Sequence, residues 1–68
     1  MVVGDKIVMR NTMLISQTVH GTVTEIDGSM AKVVPDNDPN YFVMFDNNSY
    51  RGIGRFGKWI IEGVFKQK

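Results

Sequence analysis

The sequence predicts an all-β chain that closes into a single small barrel of five or six short antiparallel strands. Residues 41–54 indicate a hairpin, because five apolar residues lead into the polar turn at 46–49 and a second short segment leads away. Ile7 and Met9 occupy alternate positions, which is the period of a half-buried strand. No stretch of about 11 residues shows helical periodicity. These observations together favour a small β-sheet that curls on itself.

The second strand is predicted over residues 19–26, with an irregularity inside it. Gly21 lies within this strand, and an interior glycine often accompanies a bulge or a sharp bend. Val23 and Ile26 are three positions apart, which breaks strict alternation and predicts a bulge near residues 24–25. A strongly coiled strand of this kind helps a small sheet to close.

Turn-forming residues divide the rest of the chain. Asp27 and Gly28 form a strong hairpin turn, residues 35–40 form an acidic loop that contains both prolines, and residues 56–58 form a further turn. The segments between these turns are predicted as four further strands, over residues 30–34, 41–45, 50–54 and 59–65.

The chain of 68 residues is expected to form one domain, residues 1–68, with a small core. A chain of this size buries about 60% of the surface that its unfolded form exposes. It has no cysteine, so disulfides and thiolate-bound metals cannot supplement the core, and a homo-oligomer is possible. We expect the following apolar residues to build the core: Ile7, Met9, Val19, Val23, Ile26, Val33, Val43, Phe45 and Ile60.

Composition favours a soluble cytoplasmic protein without membrane contact. No segment approaches the ~20 consecutive apolar residues of a transmembrane helix. Residues 1–5 lack the charged start and long apolar run of a signal peptide. The absence of cysteine fits a reducing compartment.

Charge is distributed unevenly along the chain, although the net charge is only +1. Residues 1–50 carry three basic and six acidic groups, a net charge of −3, and residues 51–68 carry five basic groups and one acidic group, a net charge of +4. A basic segment can meet an anionic partner. Alternatively, the barrel interleaves the two halves and the surface is an ordinary mixture of charges.

Three stretches of the chain share the spacing of a known barrel type. Residues 3–9 contain Gly-Asp followed by alternating apolar residues, residues 21–28 contain Gly-x-Val-x-x-Ile, and residues 41–46 end in Phe-Asp. This pattern resembles SH3-like barrels, in particular the KOW-type domains of ribosomal and transcription-elongation proteins. Residues 11–18 depart from the KOW pattern because they lack its glycine and proline, and residues 30–40 are inserted before the hairpin. The resemblance implies a binding module without selecting among RNA, DNA, peptides or neighbouring subunits.

The inventory of reactive residues predicts that the chain is not an enzyme. His20 is the only histidine, and no second base or orienting partner completes a catalytic triad. Residues 36–40 are acidic but lack the spacing of a calcium loop. Gly52, Gly54 and Gly57 are not followed by the Gly-Lys-Ser/Thr of a phosphate-binding loop. We therefore expect no catalytic residues, no metal and no cofactor.

The best candidate binding surface combines aromatic and basic residues near the end of the chain: Tyr50, Arg51, Arg55, Phe56, Lys58 and Trp59. Single-strand binders use this combination, because rings stack on bases while cations follow the phosphates. Trp59 is either the core tryptophan of a small barrel or a partly exposed contact. Arg51, Ile53 and Arg55 share a face if the strand is regular, so either Ile53 is exposed or a bulge intervenes. The first hypothesis is therefore a module that engages nucleic acid or a nucleic-acid-processing complex.

The second hypothesis is a protein–protein interaction module, such as a small regulator or a peripheral subunit. The predicted loop of residues 11–18 contains three consecutive apolar residues, Met13, Leu14 and Ile15. Either this loop folds back over the mouth of the barrel, or it exposes an apolar patch that binds a partner.

Overall fold

The computed structural model describes residues 1–12, 18–54 and 57–65, and places six β-strands in them. The strands are β1 (Lys6–Asn11), β2 (Thr18–Asp27), β3 (Met30–Pro35), β4 (Val43–Asp46), β5 (Arg51–Gly54) and β6 (Gly57–Phe65). Each strand pairs antiparallel with the next, and β6 pairs with β1, so the sheet closes into a barrel. This architecture confirms the predicted all-β fold class and is compatible with a small SH3-like barrel.

A bulge in β2 lies where the sequence predicted one. Val23 pairs with Val33 and Glu25 pairs with Lys32, so Thr24 is the extra residue. The extra residue reverses the sides of the sheet to which later residues in β2 point, and it increases the local twist. This added coiling helps six short strands to close.

A second irregularity, which the sequence did not reveal, lies between β1 and β6. Val8 pairs with Gly63 and Met9 pairs with Ile61, so Glu62 has no partner in this ladder. The carboxylate of Glu62 lies on the exposed side of β6, where its Oε2 is 3.2 Å from Nε of Arg10.

Two predicted turns are confirmed. Asp27 pairs with Met30, and Gly28 adopts a φ of 61°, in the left-handed region that glycine enters without steric cost. After β4, the Oδ1 of Asp46 accepts a hydrogen bond from the backbone N of Asn48 at 2.7 Å, and the carbonyl of Asp46 accepts one from the backbone N of Tyr50 at 2.9 Å. An Asx-type turn of this kind joins β4 to β5.

The start of the chain is fastened to β2. The backbone N of Gly4 donates to the carbonyl of Val23 at 2.8 Å, and the backbone N of Val23 donates to the carbonyl of Asp5 at 3.0 Å. Asp5 is buried, and its Oδ2 accepts a hydrogen bond from the backbone N of Val2 at 3.0 Å. A buried carboxylate with such a donor satisfies the requirement that buried polar groups be hydrogen-bonded.

Eight buried apolar residues form the core: Ile7, Met9, Val23, Ala31, Val33, Val43, Phe45 and Trp59. Six of these were predicted, and Val19 and Ile26 pack against the cluster while remaining partly exposed. Ile60 was predicted in the core, and this is wrong. Alternation along β6 allows only one of two neighbours to face inward, and the larger Trp59 takes that position.

Two segments expected outside the sheet belong to it. Gly57 and Lys58, predicted as part of a turn, pair with Gly54 and Ile53 in the β5–β6 ladder. Pro35, predicted in a loop, ends β3 opposite Gly21. A proline can occupy the end of a strand because it withholds only one donor there.

Truncating the central aromatic residue of β4 should remove most of the stability of the barrel. Phe45 is fully buried, and Phe45→Ala should cost about 3–5 kcal/mol. A domain of this size has a total stability near the lower end of about 5–15 kcal/mol. Urea titration, monitored by circular dichroism, measures the loss of unfolding free energy.

Phe65→Ala is the matched control, because Phe65 is 58% exposed. Its free energy of unfolding should lie within about 0.5 kcal/mol of the wild-type value. A Phe45→Ala midpoint equal to that of the wild type would show that β4 does not carry the core.

Candidate nucleic-acid interface

Strand β5 directs all of its side chains outward. A Cβ atom at Gly52 would clash with the carbonyl oxygen of Met44, and one at Gly54 would lie 2.9 Å from Cγ2 of Val43. Glycine is therefore required at both positions that face β4 and the core. The other two residues of the strand, Arg51 and Ile53, are exposed, and Ile53 is 71% accessible. Of the two possibilities left by the sequence, exposure of Ile53 is the one observed.

Strand β6 continues this face. Arg51 lies opposite Ile60, and Ile53 lies opposite Lys58. Directly opposed residues of an antiparallel pair point to the same side of the sheet. The outer surface of β5 and β6 therefore combines two cationic and two aliphatic side chains.

The side chain of Trp59 belongs to the interior and not to this surface. It lies opposite Gly52 in the ladder and is 1% exposed. The possibility that Trp59 presents its ring to a partner is thereby corrected, because a buried indole cannot stack on a ligand.

The remaining predicted site residues divide into two groups. Tyr50 is 37% exposed, and its backbone adopts a φ of 60° immediately before β5. Its carbonyl accepts a hydrogen bond from the backbone N of Ile61 at 3.0 Å, which fixes its backbone at the start of the strand. Arg55 and Phe56 lie outside the residues that the structure describes.

An open groove of about 520 Å³ follows this outer surface. It is lined by Thr12, Arg51, Gly52, Ile53, Lys58, Trp59 and Ile60. Thr12 reaches it from the end of β1, where its backbone N and its Oγ1 both donate to the carbonyl of Lys58, at 2.9 and 3.1 Å. A groove with cations and aliphatic side chains in its wall suits an anionic ligand that also has apolar surface.

The positive charge of this surface is largely uncompensated. Arg10 lies opposite Ile60 on the β1 side, and its partner is Glu62. Within residues 1–12, 18–54 and 57–65, no carboxylate lies within ion-pair distance of Arg51 or Lys58. Two cations that form no ion pair among the described residues add positive potential to this face, which attracts an anionic partner.

Sequence reasoning missed the part of the face that lies on β3 and β4. Met44 is opposite Ile53, and Lys32 is opposite Met44, so a row of outward residues crosses four strands: Lys32, Met44, Ile53 and Lys58. Phe42, just before β4, is 47% exposed, and Nζ of Lys32 lies 4.5 Å from the centroid of its ring. Alternation with Val43 and Phe45 was the sequence pattern that could have assigned Phe42 and Met44 to the outer side.

A second polar cluster, on the flank of the barrel, holds the proline-containing loop. The Oγ1 of Thr22 donates to Oδ1 of Asp36 at 2.8 Å, and Nζ of Lys6 donates to Oγ1 of Thr22 at 2.8 Å. Nζ of Lys6 is also 3.5 Å from Oδ1 of Asp36, and both side chains are substantially exposed. His20 is exposed in β2, and its carbonyl accepts a hydrogen bond from the backbone N of Asp36 at 2.9 Å. These contacts connect the loop to β1 and β2.

Comparisons of the chain with protein-family models, with curated proteins and with solved structures find no match. Across the part of the chain that the structure describes, no group of three or more His, Cys, Asp or Glu residues is placed to hold a metal ion. The same residues include no helix with the length and hydropathy needed to cross a bilayer. Met13, Leu14 and Ile15, the alternative partner-binding residues, lie outside the described residues.

Gly52→Ala should destabilise the barrel, because the new methyl group meets backbone and not a flexible side chain. Overpacking typically costs about 1–3 kcal/mol, and we expect a loss in the upper half of that range. Thermal and urea unfolding measure it.

Gly63→Ala, which makes the same substitution within strand β6, is the matched control. A Cβ atom at Gly63 would lie 3.2 Å from the side chain of Phe65, which is exposed and can move aside. Equal stability losses in the two variants would contradict the close approach of β5 to β4.

Proposed function

We propose that the chain is a non-enzymatic binding module that engages nucleic acid, or a complex that processes nucleic acid, through the outer face of β5 and β6. The observation that carries the proposal is the position of Arg51 and Lys58 beside the exposed Ile53, with no acidic partner among the described residues. Lysine and arginine neutralise phosphates, and release of counterions then supplies affinity. Aliphatic surface between the cations suits contact with bases.

Closure of the barrel restricts how a partner can bind. Each described strand pairs with a neighbour on both sides. A partner therefore cannot add a strand to the sheet, as it does in β-augmentation. Recognition must use outward side chains, and the face of β5 and β6 has them in an uncompensated basic arrangement.

The resemblance to KOW-type domains, carried by residues 3–9 and 21–28, implies a binding module and is compatible with the proposal without selecting its ligand. KOW-type domains occur in ribosomal and transcription-elongation proteins, which work on RNA. A cytoplasmic location is part of the proposal, because the absence of cysteine fits a reducing compartment. Self-association of the protein that is independent of salt, together with no affinity for oligonucleotides, would instead support the protein–protein hypothesis for Met13, Leu14 and Ile15.

Removing both described cations of the face should weaken nucleic-acid binding and its dependence on salt. In fluorescence anisotropy with a labelled single-stranded oligonucleotide, the wild-type protein should bind at low salt. The double variant Arg51→Gln/Lys58→Gln should bind more weakly. The slope of log K against log salt should fall by about 0.7 for each phosphate that the variant no longer neutralises.

Lys6→Gln is the matched control, because Lys6 lies opposite Thr22 and Phe65 at the other end of β1. It removes one positive charge from the protein and should leave the slope nearly unchanged. Circular dichroism establishes that each variant is folded. A wild-type protein without affinity at low salt, or with a slope near zero, would rule out the proposal.

A further inference from the structure

We propose that the interface extends across β4 and β3 and takes an unpaired nucleic-acid strand, with one base stacked on Phe42 and phosphates held at Lys32 and Lys58. This inference rests on the proposed function and names its ligand more closely. The basic and aromatic site predicted near the end of the chain does not include this extension, because Phe42 and Lys32 come from other parts of the sheet.

Phe42 is available as a stacking surface. Its side chain is 47% exposed, while its neighbour Val43 is fully buried. Its backbone lies close to β5, since a Cβ atom at Gly54 would lie only 3.2 Å from the carbonyl oxygen of Phe42. An exposed ring on a fixed backbone provides a platform on which any base can stack, because every base has a π-face.

Lys32 is placed so that its ammonium group can leave the ring of Phe42 and contact a phosphate instead. Its Nζ lies 4.5 Å from the ring centroid of Phe42. Base–aromatic stacking is at least as strong as a cation–π contact at an exposed site, and typically stronger. A base can therefore replace the ammonium group over the ring. The ammonium group, on its flexible stem, then remains beside the bound base and meets the adjoining phosphate.

The row across the sheet combines cations for phosphates with apolar side chains for bases, the two kinds of group that an unpaired nucleic-acid strand exposes. Lys32 and Lys58 stand at its ends, three strand spacings or about 14 Å apart along the curved sheet. Met44 and Ile53 lie between them and offer apolar contact. In a duplex the base faces are hidden within the stack, so Phe42 and Ile53 would have no base face to contact. An acidic peptide would satisfy the cations but would leave the ring without a planar partner.

The test compares a labelled 12-nucleotide oligo(dT) with a duplex of the same length, in fluorescence anisotropy at low salt. We expect tighter binding of the single strand by the wild-type protein. Phe42→Leu should weaken single-strand binding about tenfold, or about 1.4 kcal/mol, and should leave duplex binding unchanged. Its salt slope should stay at the wild-type value, whereas Lys32→Gln should lower the slope by about 0.7.

Two further variants make the readout specific. Phe65→Leu is the matched control, because Phe65 is 58% exposed and pairs with Lys6 at the far end of β1; its affinity should equal that of the wild type. Phe42→Trp should retain affinity, and its exposed indole should be quenched on binding, while the buried Trp59 contributes a constant signal.

The outcomes separate this inference from the proposed function. If Arg51→Gln/Lys58→Gln weakens binding but Phe42→Leu does not, the inference is wrong and the proposed function stands. Equal affinity for duplex and single strand, or equally strong competition by a 12-residue poly-glutamate, also overturns the inference. If the wild-type protein binds no oligonucleotide at low salt, both are wrong.

Discussion

The close approach of β4 and β5 at Gly52 is the constraint on which the rest of the structure depends. The carbonyl of Met44 occupies the space that a side chain at this position would need. Strand β5 consequently contributes no side chain to the core, and Phe45 and Trp59 from its neighbours fill the interior. The same geometry directs Arg51 and Ile53 outward. Tight closure of a small barrel and the presence of an exposed basic and aliphatic face therefore have one physical cause.

Features that depend on local chemistry were predictable from the sequence. The bulge at Thr24 follows from the spacing of Val23 and Ile26, and the turn at Gly28 follows from the residue types that tolerate a positive φ. Alternation in residues 6–10 places Ile7 and Met9 inside. Each of these features is determined by a few consecutive residues, so no knowledge of the partner strands is required.

Features that depend on register across strands were not predictable. Alternation establishes that Trp59 and Ile60 face opposite sides, but it does not establish which one faces inward. The register that places Trp59 opposite Gly52, a position that faces the core, decides it, and this register exists only after folding. The row from Lys32 to Lys58 has the same origin, because its members are distant in sequence and become neighbours through three separate ladders.

The rigidity of this face affects what binding costs. Strands β3 to β6 are hydrogen-bonded on both sides, so the backbone beneath the face is already ordered before a partner arrives. A partner bound there, as we propose, would order mainly the long side chains of Lys32, Arg51 and Lys58, at about 0.5–1.5 kcal/mol for each immobilised side chain. Because these side chains lie outside the core, their substitution changes charge without opening a cavity. Affinity and stability can therefore vary separately in this barrel, except at the glycines of β5, where a single methyl group would disturb both.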